Sequence, residues 1–258
     1  MNTAGRLLSL SQQLISNRRS SNEAMIHAWT KAFDLSPESV QLEEEVTACL
    51  LAVRSELELL RVKLLKLGLD QPEVHAGLGS LRHISSPTAL HQGLGLLNDL
   101  AQPHHQLTFI WANWAFREES EDEMPADELA ALRSELDSME SSLQDTEMTH
   151  YLRDFIQRQI GVIRAALRVY RVQGVKPIET ALHQVAGAYK VEEARVQAEY
   201  KKASEPAKSL VVRMSTTIKK VAEVADSLDK IKKAGESAYT LAASVAPMVL
   251  SYIQNLLK

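Results

Sequence analysis

Leucine, isoleucine and valine recur along this chain at intervals of three and four residues, and no segment shows sustained alternation with β-branched enrichment. The pattern predicts helices and essentially no sheet. Leu7, Leu10 and Leu14 share one helical face, and the period resumes after Ser20-Ser21 with Met25, Ala28 and Trp29. Two short helices, or one bent one, are expected up to about Leu35. Ser36-Pro37 reads as a start signal, a capping serine ahead of a proline at the position where its missing N–H costs nothing. The strongest pattern in the chain comes next. Val46, Val53, Leu60 and Leu67 are spaced by sevens, and Leu50, Leu57 and Leu64 fill the complementary positions. This is a heptad seam along a helix over 37–67, ended by Gly68. Leu51, Leu59 and Leu65 lie off the seam, which predicts a second buried face and a place inside a bundle rather than an isolated two-stranded coiled coil.

Pro72, Gly77 and Gly79 interrupt residues 69–86, so a loop with at most a short helix is expected there. Ser86-Pro87 repeats the start signal and predicts a helix through Leu90, Leu94, Leu97 and Leu100, broken or kinked at Pro103. Beyond it Leu107, Ile110, Trp111 and Trp114 share a helical face. An aromatic anchor of the core is the expected reading, with an interface hot spot as the alternative.

Past an acidic run at Glu118–Glu123, three more amphipathic stripes occur. They are Leu129, Leu132, Leu136, Met139 and Leu143; then Leu152, Ile156, Ile160, Ile163, Leu167 and Tyr170, ended by Gly174; then Leu182, Val185, Tyr189, Val196 and Tyr200, opened by Lys176-Pro177. Pro206 divides the last of these from a helix carrying Met214, Ile218, Val221, Val224, Leu228 and Ile231, whose polar face is rich in lysine. The expected architecture is all-α, a multi-helix bundle of about seven or eight helices. Its organisation reads as an N-terminal helical region (1–117), an acidic linker (118–126) and a C-terminal helical bundle (127–258), the two regions separate or packed as one domain.

The final stretch stands apart. Ser237–Leu257 contains no charged residue and comes after Lys230, Lys232 and Lys233. At 100° per residue, Thr240, Ser244, Pro247, Ser251, Gln254 and Asn255 fall within an arc of roughly 100°, and Leu241, Val245, Met248, Val249, Tyr252, Ile253 and Leu256 occupy the other side. Such a helix must be nearly surrounded. The protein's own bundle, a second copy, or a bilayer all fit; Pro247, Gln254 and Asn255 weigh against the bilayer and the upstream lysines favour it.

Charge and composition narrow the functional classes. The 258 residues carry a net charge of −4, so nothing global attracts nucleic acid. The sign is uneven: residues 118–147 hold twelve acidic groups and one basic, whereas 148–176 hold six basic and one acidic. Two antiparallel helices facing each other or solvent are expected from these blocks. A single cysteine, Cys49, excludes an internal disulfide and a cysteine-rich zinc site, and it reads as a small buried hydrophobe on the heptad helix. No signal peptide is expected. Residues 1–22, with Arg6, Arg18, Arg19 and no acid, overlap in composition with a mitochondrial presequence, though an ordinary amphipathic first helix is the expected reading. The cytoplasm is the expected location, with peripheral membrane contact through 237–257 as the alternative.

No constellation supports catalysis. Gly93-Leu-Gly95-Leu-Leu-Asn98 lacks a third glycine and a preceding strand, so it is no dinucleotide loop. His75, His83, His91, His104 and His105 fall near Asp70, Glu73 and Asp99, which raises the question of a metal site, but spacings of eight turn helical side chains off a shared face. Glu147-x-x-His150 is a single copy of a motif that di-iron bundles need twice. His183, with Glu179 one turn behind it, reads as a hydrogen-bonded structural histidine. No cofactor and no metal are expected. The expected function is a non-enzymatic helical protein–protein interaction or self-assembly module, with a protein partner or a homo-oligomer, through Trp111, Trp114, Leu241, Val245, Val249, Tyr252 and Leu256. A membrane-active effector that inserts 237–257 into a bilayer is the first alternative, and a metal-dependent bundle enzyme the second.

Overall fold

A computed structural model describes residues 1–16 and 23–228. Among these residues the chain forms ten α-helices and three single turns of 3-10 helix, with no strand beyond one isolated antiparallel bridge between Ala24 and Gly93. The all-α fold expected from the periodicity is thus what forms. The chain divides into two compact units, Met1–Ser120 with Arg171–Gly174, and Glu121–Tyr170 with Val175 onward.

In the first unit, α1 (Thr3–Ser16) and α2 (Met25–Phe33) are the two short helices of the first apolar stripe. Asn2 caps α1 by accepting the Gly5 N–H at 2.8 Å, and its amide nitrogen donates to the carbonyls of Asn113 and Phe116. The heptad helix, α3 (Leu42–Lys66), begins later than Ser36-Pro37 announces. Residues 36–41 make a turn instead, with Ser39 N donating to Ser36 O and Leu42 N to Ser39 O, and the helix opens on Glu43, Glu44 and Glu45, carboxylates that suit its positive end. Val46, Leu50, Val53, Leu57, Leu60 and Leu64 are buried as the seam predicts, and Cys49 is buried beside them, but Leu67 lies just past the end of the helix and is 55% exposed. The second face is not buried. Leu51 is 56% exposed, and Leu59 and Leu65 are 40% and 39% exposed; among the described residues α3 packs chiefly on α1, α2 and α4.

Where a loop with at most a short helix is expected, at 69–86, a helix of 13 residues forms, α4 (Pro72–Ile84), with Pro72 at its first position. Gly77 serves its packing: α4 lies against α6 (Pro103–Ala115), and a β-carbon on Gly77 would meet the His105 carbonyl oxygen at 2.2 Å. Conversely, the long helix expected from Ser86-Pro87 does not form. Residues 87–100 hold two 3-10 turns and the four-residue α5 (Leu97–Leu100). The carbonyls of Leu90 and Gln92 accept the N–H groups of Ile26 and Met25, and Leu94 N donates to Glu23 O. This stretch commits its backbone to the orphan donors that open α2.

One buried ionic group lies in this unit. Arg6 Nη2 stands 3.8 Å from Glu56 Oε2, while Arg6 Nε donates to Val172 O and Nη1 to Met1 O. Burial pushes the Glu56 carboxyl above its ordinary range, and Arg6, Thr3, Gln173 and Lys63 pull the other way. Glu56 Oε2 accepts no hydrogen bond.

The second unit is a helical bundle of α7 (Ala126–Asp145), α8 (His150–Gln173, up to Tyr170), α9 (Lys176–Lys202) and α10 (Glu205–Leu228). Every apolar position of the α7, α8 and α9 stripes is buried in one core with Met214, Ile218, Val221 and Val224 of α10. The charge blocks meet across helices. Arg164 of the basic block pairs with Glu140 at 2.6 Å and Asp137 at 2.9 Å, and Arg213, from α10 rather than that block, pairs with Glu135 at 2.9 Å. Glu192 accepts from both Tyr151 and Arg158; the Tyr151 hydroxyl first, then Arg158, hold its carboxyl below the usual range.

Candidate functional site

The α6 helix carries apolar residues on two opposite sides, and only one of them can face its own core. His105, Thr108, Phe109 and Ala112 turn inward. At 100° per residue, Leu107, Ile110, Trp111 and Trp114 centre about 180° away. They are 44%, 45%, 65% and 63% exposed. Trp111 and Trp114 therefore do not anchor the core; Trp29, fully buried and stacked on Phe33 at 5.1 Å, is the aromatic that does. What selects the inner face is contact distance. Gly77 N–H donates to Thr108 Oγ1 at 3.2 Å, and helices that close need small side chains, not indoles, between them.

Beside this outer face lies an apolar groove of about 470 Å³. Leu64 of α3 and Leu69 of the α3–α4 connection form one wall, Glu73 and Val74 of α4 another, and Leu107, Trp111 and Trp114 of α6 the third. His75 holds that connection in place, its Nε2 lying 2.8 Å from Leu69 O. Glu73 and His104 are the ionisable side chains of the lining. At the end of α6, the Arg117 guanidinium lies 5.0 Å from the centre of the Trp114 ring, and Lys63 pairs with Glu119 beside the Phe116 ring. A groove of this size that presents indoles to solvent suits apolar side chains delivered on a helix.

The histidine-rich segment is dispersed rather than convergent. His105 Nδ1 lies 2.6 Å from Asp99 O, His104 packs edge-on against the His105 ring, and His91 Nε2 is 3.5 Å from Glu43. Among the described residues no three His, Cys, Asp or Glu side chains form a group that could hold a metal ion. Ser80, Asp99 and His105 do come together, in an order that the sequence did not reveal. Ser80 Oγ donates to the Asp99 carboxylate, not to the imidazole, so the carboxylate sits between the other two and the order is not that of a serine–histidine–carboxylate triad. The group ties α4 to the start of α6. His183, expected to be a structural histidine, is exposed.

Comparisons with protein-family models, with curated proteins and with solved structures find no match for this chain. Among the described residues no helix is long and apolar enough to cross a membrane. Leu241, Val245, Val249, Tyr252 and Leu256 lie outside the described residues, and Trp111 and Trp114 are the members of the expected interaction set that the structure places, on one helix and on one groove.

Proposed function

We propose that this protein is a non-enzymatic helix-docking module whose α3–α4–α6 groove receives the apolar stripe of an amphipathic helix. One observation carries the reading: Trp111 and Trp114 are 65% and 63% exposed at the edge of a groove of about 470 Å³. Large indoles left in water are costly where nothing covers them, and Trp is the residue most enriched where binding energy concentrates. The groove's edges add direction. Glu73, exposed at the start of α4, puts a carboxylate on the α4 side of the lining.

The test uses a fluorescein-labelled helix of leucine and lysine, with leucines at i, i+4 and i+7, titrated into the purified full-length chain. Binding should weaken by about thirtyfold in Trp111→Ala, the loss that corresponds to a hot spot of about 2 kcal/mol. An unchanged affinity in the Trp111→Ala/Trp114→Ala double variant removes the reading.

A further inference from the structure

Helix docking requires a segment whose apolar residues repeat at helical spacing, and the sequence of this chain holds one. Residues 237–257, which lie outside the described residues, contain no charge, and Leu241, Val245, Val249, Tyr252 and Leu256 are spaced by four, four, three and four. That spacing is the anchor pattern of a helix seated in a groove. In a helix the 21 residues would extend about 30 Å. Two further matches support the pairing. An uncharged segment suits a groove whose lining is apolar apart from Glu73, His104 and Thr108. The three lysines that precede it, Lys230, Lys232 and Lys233, complement Glu73, the carboxylate of the lining.

We propose that residues 237–257 of one copy dock into the α3–α4–α6 groove of a second copy, so that the protein self-associates head to tail. The inference rests on the helix-docking function and names its partner. Because groove and segment are different surfaces, the contact is heterologous: each added copy leaves one groove and one segment free, and assembly grows with concentration unless a ring closes.

The test compares three full-length proteins by light scattering over a range of concentrations: the wild type, a segment variant (Val245→Lys/Val249→Lys) and a groove variant (Trp111→Ala/Trp114→Ala). The wild-type mass should rise from 28.7 kDa as concentration increases. Each variant alone should stay at the monomer mass. An equimolar mixture of the two should give a discrete dimer, because the segment of the groove variant meets the groove of the segment variant and no further site remains. Circular dichroism checks that the variants fold, and Leu256→Lys takes the place of the double lysine variant if that one does not.

A wild type that stays monomeric at every concentration overturns the proposal, as does a mixture that stays monomeric. If the wild type is monomeric and yet its tryptophan emission shifts to the blue relative to the segment variant, each copy fills its own groove, and the proposal falls. Flotation of the wild type, and not of the segment variant, with phosphatidylglycerol vesicles, together with an absence of self-association, assigns the segment to a bilayer instead. The leucine–lysine helix titrated into the segment variant separates the two levels. If it binds tightly and the mixture still fails to dimerise, helix docking survives and the self-association is lost; if it does not bind either, both are lost.

Discussion

The α-carbon of Gly77 faces the carbonyl of His105 so closely that a β-carbon on it would stand 2.2 Å from that oxygen and 3.0 Å from the Thr108 side chain. The nearest obstacle is backbone, so no change of rotamer relieves the clash. Gly77→Ala must therefore push α4 away from α6, and a net loss of about 1–3 kcal/mol is expected despite the better helix propensity of alanine. Two residues on, nothing lies within 4 Å of the corresponding position on Gly79. Gly79→Ala should stabilise by roughly 0.5–1 kcal/mol, since propensity acts there unopposed. Thermal unfolding of the two variants should thus shift in opposite directions; shifts of the same sign would contradict the packing role of Gly77.

The same glycine explains what the sequence conceals. Period alone was enough for the all-α class and for most of the core, because Val46 to Leu64 and the stripes of α7, α8 and α9 bury the side that repeats at three and four. Pro72, Gly77 and Gly79 look like helix breakers, yet Pro72 sits where a helix tolerates proline and Gly77 lets two helices close. The opposite error occurs at 87–100, where the apolar spacing is helical but the carbonyls of Leu90 and Gln92 are committed to α2, a long-range demand that no local pattern encodes. The candidate groove was half legible. Trp111 and Trp114 stand out in the sequence, but α6 is apolar on two opposite sides, and the fit of Thr108 against Gly77 of α4 decides which of them goes inward.

Three tryptophans in contrasting settings make that choice measurable. Trp29 has no exposed surface, so Trp29→Ala should cost about 3–5 kcal/mol and abolish the most blue-shifted emission. Trp111→Ala and Trp114→Ala remove side chains that are mostly in water, and each should change stability by no more than about 0.5–1 kcal/mol. Chemical denaturation of the three variants decides. A loss at Trp111 as large as that at Trp29 would mean that the α6 outer face is enclosed.

Glu56 gives the first unit a pH dependence of unusual sign. Its carboxyl is raised above the ordinary value by burial, with Arg6 opposing. The folded state therefore holds this proton more tightly than the unfolded chain does. Its stabilising contribution is present below the unfolded value and is lost as pH rises through the raised one. Glu56→Gln cannot titrate. The difference in unfolding free energy between wild type and variant should shift in the variant's favour as pH climbs upward from about 4.5, the ordinary glutamate value. A difference that does not vary with pH would show that Glu56 ionises normally.

The last turn of α7 has no basic residue of its own, and its charge comes from the next helix. Arg153 Nη1 donates to Leu143 O at 2.8 Å and to Gln144 O at 3.3 Å, and its Nη2 donates to Thr146 O at 2.9 Å. These carbonyls close a helix with no intrahelical donors left for them, and a cation there also opposes the negative end of the dipole. Arg153→Ala should cost about 1–2 kcal/mol and should accelerate amide exchange selectively in the final turn of α7 and the 146–149 connection. Arg158→Ala provides the contrast. Its pair with Glu192 at 3.0 Å leaves the Arg158 side chain 57% exposed, so less than about 1 kcal/mol is expected. Equal losses in the two variants would place the value of Arg153 in general surface charge; the predicted gap between them places it in the carbonyls at the end of α7.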